Sequence, residues 1–248
     1  MVVKMINTMR GNPPVGYNRS RINDHPRIAV DQGGRFRGRV YVVLASAVAP
    51  TGAPATSTNA TNPACPVGLV CQAQSLTSSQ VFVSFSDNRG ITWSTPQAVA
   101  PAPPSLGVKR FWPVVDVMKD GNIGIVYYEV FETNVTANPT DTECFVNLGG
   151  NLRRVGPRRS LANTKVVVGT PDRFGGIVFS PPVQVSSATS NWCPPPQGPA
   201  LFGIRPNFGD YIGSAAFAKG FLPVWADSRT GPVDTFFAMV EVRGRVQV

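Results

Sequence analysis

The sequence predicts an all-β chain assembled from repeated antiparallel meanders, the pattern of propeller blades. Three observations carry this. Residues 81–99, VFVSFSDNRGITWSTPQAV, recur at 166–185 as VVVGTPDRFGGIVFSPPVQV, and with one gap after Gly175 eight of nineteen positions are identical, where background composition gives roughly one. Charged residues make up only 15% of the chain, against 24 Gly and 24 Pro, a balance that favours short strands and turns. No segment sustains a helical apolar period. A duplication at a spacing of about 85 residues means like units stacked side by side.

The elements follow in order. HPRIAVD (25–31) reads as a first strand, and GRVYVVLASA (38–47) as a second across a turn. A polar loop over 48–79 then leads into the duplicated hairpin. The next unit repeats the scheme, with FWPVVDV (111–117), the turn MKDGN, IGIVYYEVFE (123–132) and a loop over 133–164 before the second hairpin. A third version is shorter: GDYIGSAAF (209–217), a turn at Lys219-Gly220, FLPVWADS (221–228) and DTFFAMVEV (234–242). The units therefore span 25–100, 110–187 and 208–242, about two and a half four-stranded blades. Residues 1–24 form an N-terminal segment in which Asn18–Asn23 suits the closing strand of a preceding blade. Rings need at least four blades, so completion calls for further blades from a longer chain or for a second copy.

The formal net charge is +9. Its arginines are not interleaved with aromatics as a nucleic-acid stacking platform requires, so nucleic acid is not the expected partner; an anionic glycan suits the charge. No apolar run approaches the ~20 residues of a membrane span. Cys65 and Cys71 bracket CPVGLVC, a spacing that closes a small disulfide ring, and Cys144 and Cys193 remain for a second pair. An even count in loop contexts favours an oxidising compartment, hence a secreted or cell-surface protein. With one histidine, His25, and no Cys-x-x-Cys pair, neither a zinc site nor a catalytic triad is expected. No calcium loop is visible, and no cofactor is expected.

Ser86-Asp87-Asn88-Arg89-Gly90-Ile91-Thr92-Trp93 resembles the Asp-box, the turn motif Ser-x-Asp-x-Gly-x-Thr-Trp of sialidase-like propellers. A short side-chain oxygen folds back onto turn amides, and Gly takes the left-handed dihedral. Asn88 replaces the usual Asp. The second copy is degenerate: Asp172 is shifted, Gly175-Gly176 adds a residue, and Phe179 stands for Trp. Together with NFGDYIGSAA, FLPVWADSRTG and DTFFA, these segments are similar to the last three blades of bacterial sialidase-like BNR-repeat proteins, over roughly 20–245. The resemblance implies the C-terminal half of a six-bladed ring.

It also implies where chemistry would lie. A sialidase holds its substrate carboxylate with three arginines, because guanidinium pairs with carboxylate bidentately, and uses a Tyr nucleophile with acidic partners. Arg27, Arg110 and Arg205 each stand at or just before a first strand, in differing registers, and Tyr211 sits beside Asp210 in GDYIG. The family's Arg-Ile-Pro motif is absent; Arg27-Ile28-Ala29 lacks its proline. Glu129 aligns with Asp227, and the two are expected to make structural ion pairs or turn caps, with Arg229 the partner for Asp227. Asp31, Asp116 and Asp120 are expected in turns. With no complete catalytic set, the reading that leads is a propeller binding glycans or proteins. A sialidase-type hydrolase is the alternative, and a purely structural propeller a third.

Overall fold

The computed structural model describes residues 25–47, 78–100, 108–134, 143–148, 151–192, 212–230 and 233–242. The protein is all-β: every regular element among the described residues is a strand. The first unit is an antiparallel meander of β1 (Arg27–Val30), β2 (Val40–Ala47), β3 (Ser79–Ser86) and β4 (Gln97–Ala98). The second comprises β5 (Val108–Val117), β6 (Ile123–Asn134), β7 (Glu143–Leu148), β8 (Asn151–Pro171), β9 (Ile177–Phe179), β10 (Val183–Gln184) and β11 (Ser190–Asn191). In it β5 pairs β6, β6 pairs β8, and β7, β9, β10 and β11 all pair β8, every pairing antiparallel. A single parallel pairing, Ser79 with Lys109, joins the two meanders into one mixed sheet. The third unit contains β12 (Ala216–Phe217), β13 (Gly220–Phe221), β14 (Val224–Asp227), β15 (Asp234–Phe237) and β16 (Val240–Glu241). It forms a β12-β13-β16 sheet and a β14-β15 hairpin.

Strand β6 shows how the units stack, because successive side chains leave a strand on opposite faces. Ile123, Ile125 and Tyr127 pack with Tyr41 and Val43 of β2 and Val81 and Val83 of β3. Val126, Tyr128 and Val130 pack the other way, with Ile212 and Trp225 of the third unit. Strand β6 is thus buried on both faces, and each fully buried aliphatic side chain contributes roughly 1.5–3 kcal/mol of transfer free energy. Phe111, Tyr128 and Trp192 form an aromatic cluster with ring centroids 5.7–6.0 Å apart. The Tyr128 hydroxyl donates to the Ala226 carbonyl at 3.0 Å and accepts from the Ala226 amide at 2.9 Å, keying the third unit onto the second. Gly124 is required here, since a Cβ would meet the Phe221 ring at 2.5 Å.

Two expectations are corrected. The stretch 133–164, expected as a loop, is strand over its described residues: β6 runs on to Asn134, β7 covers Glu143–Leu148, β8 begins at Asn151, and β6 and β8 pair as far as Asn134 with Arg158. Its arginines, Pro157 and glycines hid the strand from a reading based on apolar alternation. In the third unit, the strand expected over 221–228 is split, because Pro223 offers no N–H to a ladder. Residues 220–221 and 224–227 accordingly join different sheets.

Candidate functional site

The first strands of the three units bring their ends to one cleft. Its cavity of about 730 Å³ is lined by Ile28–Val30 of β1, Asp116–Lys119 at the end of β5, and Ser214–Ala216 of the third unit, with Gln32 and Gly33 at the first turn. Parity sets the chemistry. On β5, Val115 and Val117 face the first unit, so Val114 and Asp116 face the third. Burial pushes the Asp116 carboxyl above its ordinary range; the Ser214 hydroxyl beside it offsets part of that rise. Gln32 and Lys119 add further polar side chains to a lining that also includes Ile28, Val30 and Met118. Such a cleft can seat a small polar ligand against one carboxyl group and one hydroxyl.

Asp116 lies on the strand, paired with Gly124, and not in the turn expected for it. The available signal was a carboxylate on the strand face that Val114 otherwise keeps apolar. Asp31 and Asp120 do cap turns: Asp31 Oδ1 accepts from the Gly33 and Gly34 amides at 3.0 and 2.6 Å, and Asp120 accepts from the Asn122 amide at 3.0 Å.

Of the arginines singled out in the sequence, Arg27 and Arg110 take separate places. Arg27 borders a small cavity with His25, Trp112, Pro113 and Ile212. Arg110 lies at the other end of β5 from Asp116; its Nε donates to Glu129 Oε2 at 2.7 Å and its Nη1 to Gln80 Oε1 at 3.2 Å. Lys165 Nζ approaches the same Glu129 at 3.6 Å. Asp227 is buried likewise and takes Arg229 Nε at 2.8 Å. Glu129 and Asp227 are therefore both ion-paired carboxylates, Glu129 midway along β6 and Asp227 at the end of β14. Arg205, Asp210 and Tyr211 lie outside the described residues, as do Cys65, Cys71 and Cys193; Cys144 falls on β7.

The segment Ser86–Trp93 closes as a turn. Ser86 Oγ accepts from the amides of Asn88 and Gly90 at 3.4 and 2.8 Å. Asn88 Oδ1 accepts from the Thr92 amide at 2.8 Å, and its Nδ2 donates to Thr92 Oγ1 at 2.7 Å. The Trp93 indole donates to the Gly90 carbonyl at 3.0 Å. Arg89 and Gly90 are both left-handed, with φ of 60° and 86°. In the second copy, Asp172 Oδ1 takes over the Ser86 role and accepts from Phe174 and Gly176 at 2.8 and 2.9 Å.

Asp87, the box carboxylate, reaches away from its own turn. It receives Arg39 Nε and Nη2 at 2.7 and 2.9 Å, a bidentate pair. Arg39 lies between the rings of Phe36 and Phe85, 3.9 and 4.0 Å from their centroids. Its Nη1 donates to the Gly175 carbonyl at 2.8 Å. One buried guanidinium thus fastens the box of the first unit to the matching turn of the second. Burial works against its charge, yet the Asp87 hydrogen bond and neighbouring charges leave its pKa raised.

Compared with known protein families and with curated proteins, the chain finds no match.

Proposed function

We propose that this chain is part of a sialidase-like β-propeller whose first-strand cleft binds a glycan, without a complete catalytic set, on a secreted or cell-surface protein. The observation that carries the reading is the convergence of three units' first strands on one cavity holding Asp116 and Ser214. Support for the architecture comes from two antiparallel meanders packed on each other, the second packing in turn on a third unit, and from an Asp-box-like turn between β3 and β4. Binding is preferred to hydrolysis because Arg27 and Arg110 line different places, and Arg110 spends its guanidinium on Glu129 and Gln80. The even number of cysteines, four, fits an oxidising compartment.

Calorimetric titration of sialylated and neutral oligosaccharides against the protein and Asp116→Asn tests this. The variant is expected to bind at least tenfold more weakly, the scale of one lost charge-assisted hydrogen bond. Equal binding by both proteins removes the cleft from consideration. A fluorogenic sialoside assay separates the hydrolase reading: turnover by the intact protein that Arg205→Ala abolishes would favour it.

Stability should also report on Asp116. A carboxyl raised by burial holds its proton more tightly in the folded chain than in the unfolded one. Its contribution is therefore full below the ordinary value of 3.8 and lost as pH climbs through the raised value. Urea midpoints measured across that window should decline with pH in the natural protein and decline less in Asp116→Asn.

A further inference from the structure

We propose that a second groove, formed by turns of the first and second units, is a binding site for an acidic sugar, a pyranose carrying a carboxylate or sulfate. The turns Asp31–Arg39 and Met118–Asn122 separate it from the first-strand cleft. Residues 32–33 and 118–119 line the cleft, whereas 35–36 and 120–122 line the groove. The turn after β8 supplies the facing wall, and the cavity holds about 740 Å³.

Its chemistry is that of an aromatic platform with two cationic arms. Phe174 is 83% exposed at the turn tip, held there by the bond of its amide to Asp172. The Arg173 guanidinium stacks on that ring at 4.6 Å, and Arg35 approaches Phe36 at 5.7 Å. Arg35 Nη2 donates to the Arg173 carbonyl at 3.4 Å, which draws the two arginines to one rim. Neither guanidinium makes an ion pair among the described residues.

The groove's two carboxylates do not fill that role. Asp120 accepts the backbone and side-chain N–H groups of Asn122, and Asp172 Oδ1 is taken by two turn amides. Three of the four carboxylate oxygens are thus committed to the turns, while guanidinium donors remain for a ligand. An anion with a flat apolar face answers both features: bidentate hydrogen bonding for the guanidinium edge, and ring contact for the phenyl. The proposal rests on the preceding reading only for the sugar class of the ligand.

Calorimetry with a sulfated glucuronate tetrasaccharide, its desulfated neutral counterpart and inorganic sulfate tests the site. The acidic sugar should bind the natural protein at least tenfold more tightly than either comparison probe. Arg173→Gln and Phe174→Ala should each weaken it about tenfold or more. Both positions are exposed, so unchanged melting midpoints are expected. Arg89→Ala, an exposed arginine outside the groove, controls for diffuse attraction. The proposal fails if the acidic sugar does not bind, if sulfate alone binds as tightly, or if Arg89→Ala weakens binding as much as Arg173→Gln. It also fails if Asp116→Asn abolishes binding that Arg173→Gln and Phe174→Ala leave intact, an outcome that would place the sugar in the first-strand cleft.

Discussion

The hairpin that ends the first unit and the one that ends the second share a hydrogen-bond plan but not a residue-for-residue alignment. In the first, the Ser94 amide bonds the Phe85 carbonyl and the Val99 amide the Val81 carbonyl. In the second, Ser180 bonds Val168 and Val185 bonds Thr164. Ser94 and Ser180 are therefore equivalent, yet Val81 corresponds to Thr164 and not to Val166, its partner by sequence. The displacement is two residues. Strand side chains alternate with period two, so such a shift keeps every residue on its proper face and escapes detection by apolar pattern. The second hairpin uses the extra length to carry β9 and the turn at Asp172. Where the first closes on Ser86 and Asn88, the second closes on one carboxylate, and Asp87 is released to hold Arg39.

The sharpest way to break this relation is Arg39→Ala. It removes the bidentate Asp87 pair, the Gly175 bond and two ring contacts together. A loss of about 3 kcal/mol is expected, moderated by the exposure of Asp87, and visible as a lower urea midpoint. Arg39→Lys should restore less than half, because an ammonium lacks the planar fork. A loss below about 1 kcal/mol in Arg39→Ala would show that the turns hold without the clamp.

Next in size is the contrast of two glycines. Gly90 and Gly175 have φ of 86° and 89°, so alanine costs each about 1 kcal/mol. At Gly175 a Cβ would also stand 3.0 Å from Arg39 Nη2, while at Gly90 it meets only the Trp93 ring at 3.6 Å. Gly175→Ala should therefore be the more damaging, and in an Arg39→Ala background the two should become equal. Ser86→Ala follows, at about 1 kcal/mol for two turn amides left without their acceptor. Smallest is a gain: Arg89, left-handed at φ 60°, should stabilise by a few tenths of a kcal/mol when replaced by Asn. Equilibrium unfolding of each variant checks the order.

Much of the fold was legible in the sequence, for identifiable reasons. The strands of 38–47, 81–86 and 123–132 alternate or run apolar between Gly-rich turns, and each forms where expected. The Asp-box was readable because its bonds are local, all within five residues of one another. The long β8 was not, since its N-terminal half is specified by pairing with β6 and β7 and not by its own composition. Ion pairs at Glu129 and Asp227 were anticipated from their matched positions, though the Arg110 partner was assigned elsewhere. Asp116 and the Arg39 clamp were missed alike: each acquires its role from a neighbour far along the chain, Ser214 in one case and Gly175 in the other.

Arg39 finds its carboxylate 48 residues downstream but its carbonyl only after 136. During synthesis the first meander can therefore acquire its own ion pair well before the second turn has left the ribosome. Contacts of such long span are costly to close and come late in folding, so this guanidinium waits half-satisfied through an interval in which the inner face of the first sheet is uncovered. Nascent chains halted before Gly175 are expected to be more readily cleaved by protease within β2 and β3 than chains released after it.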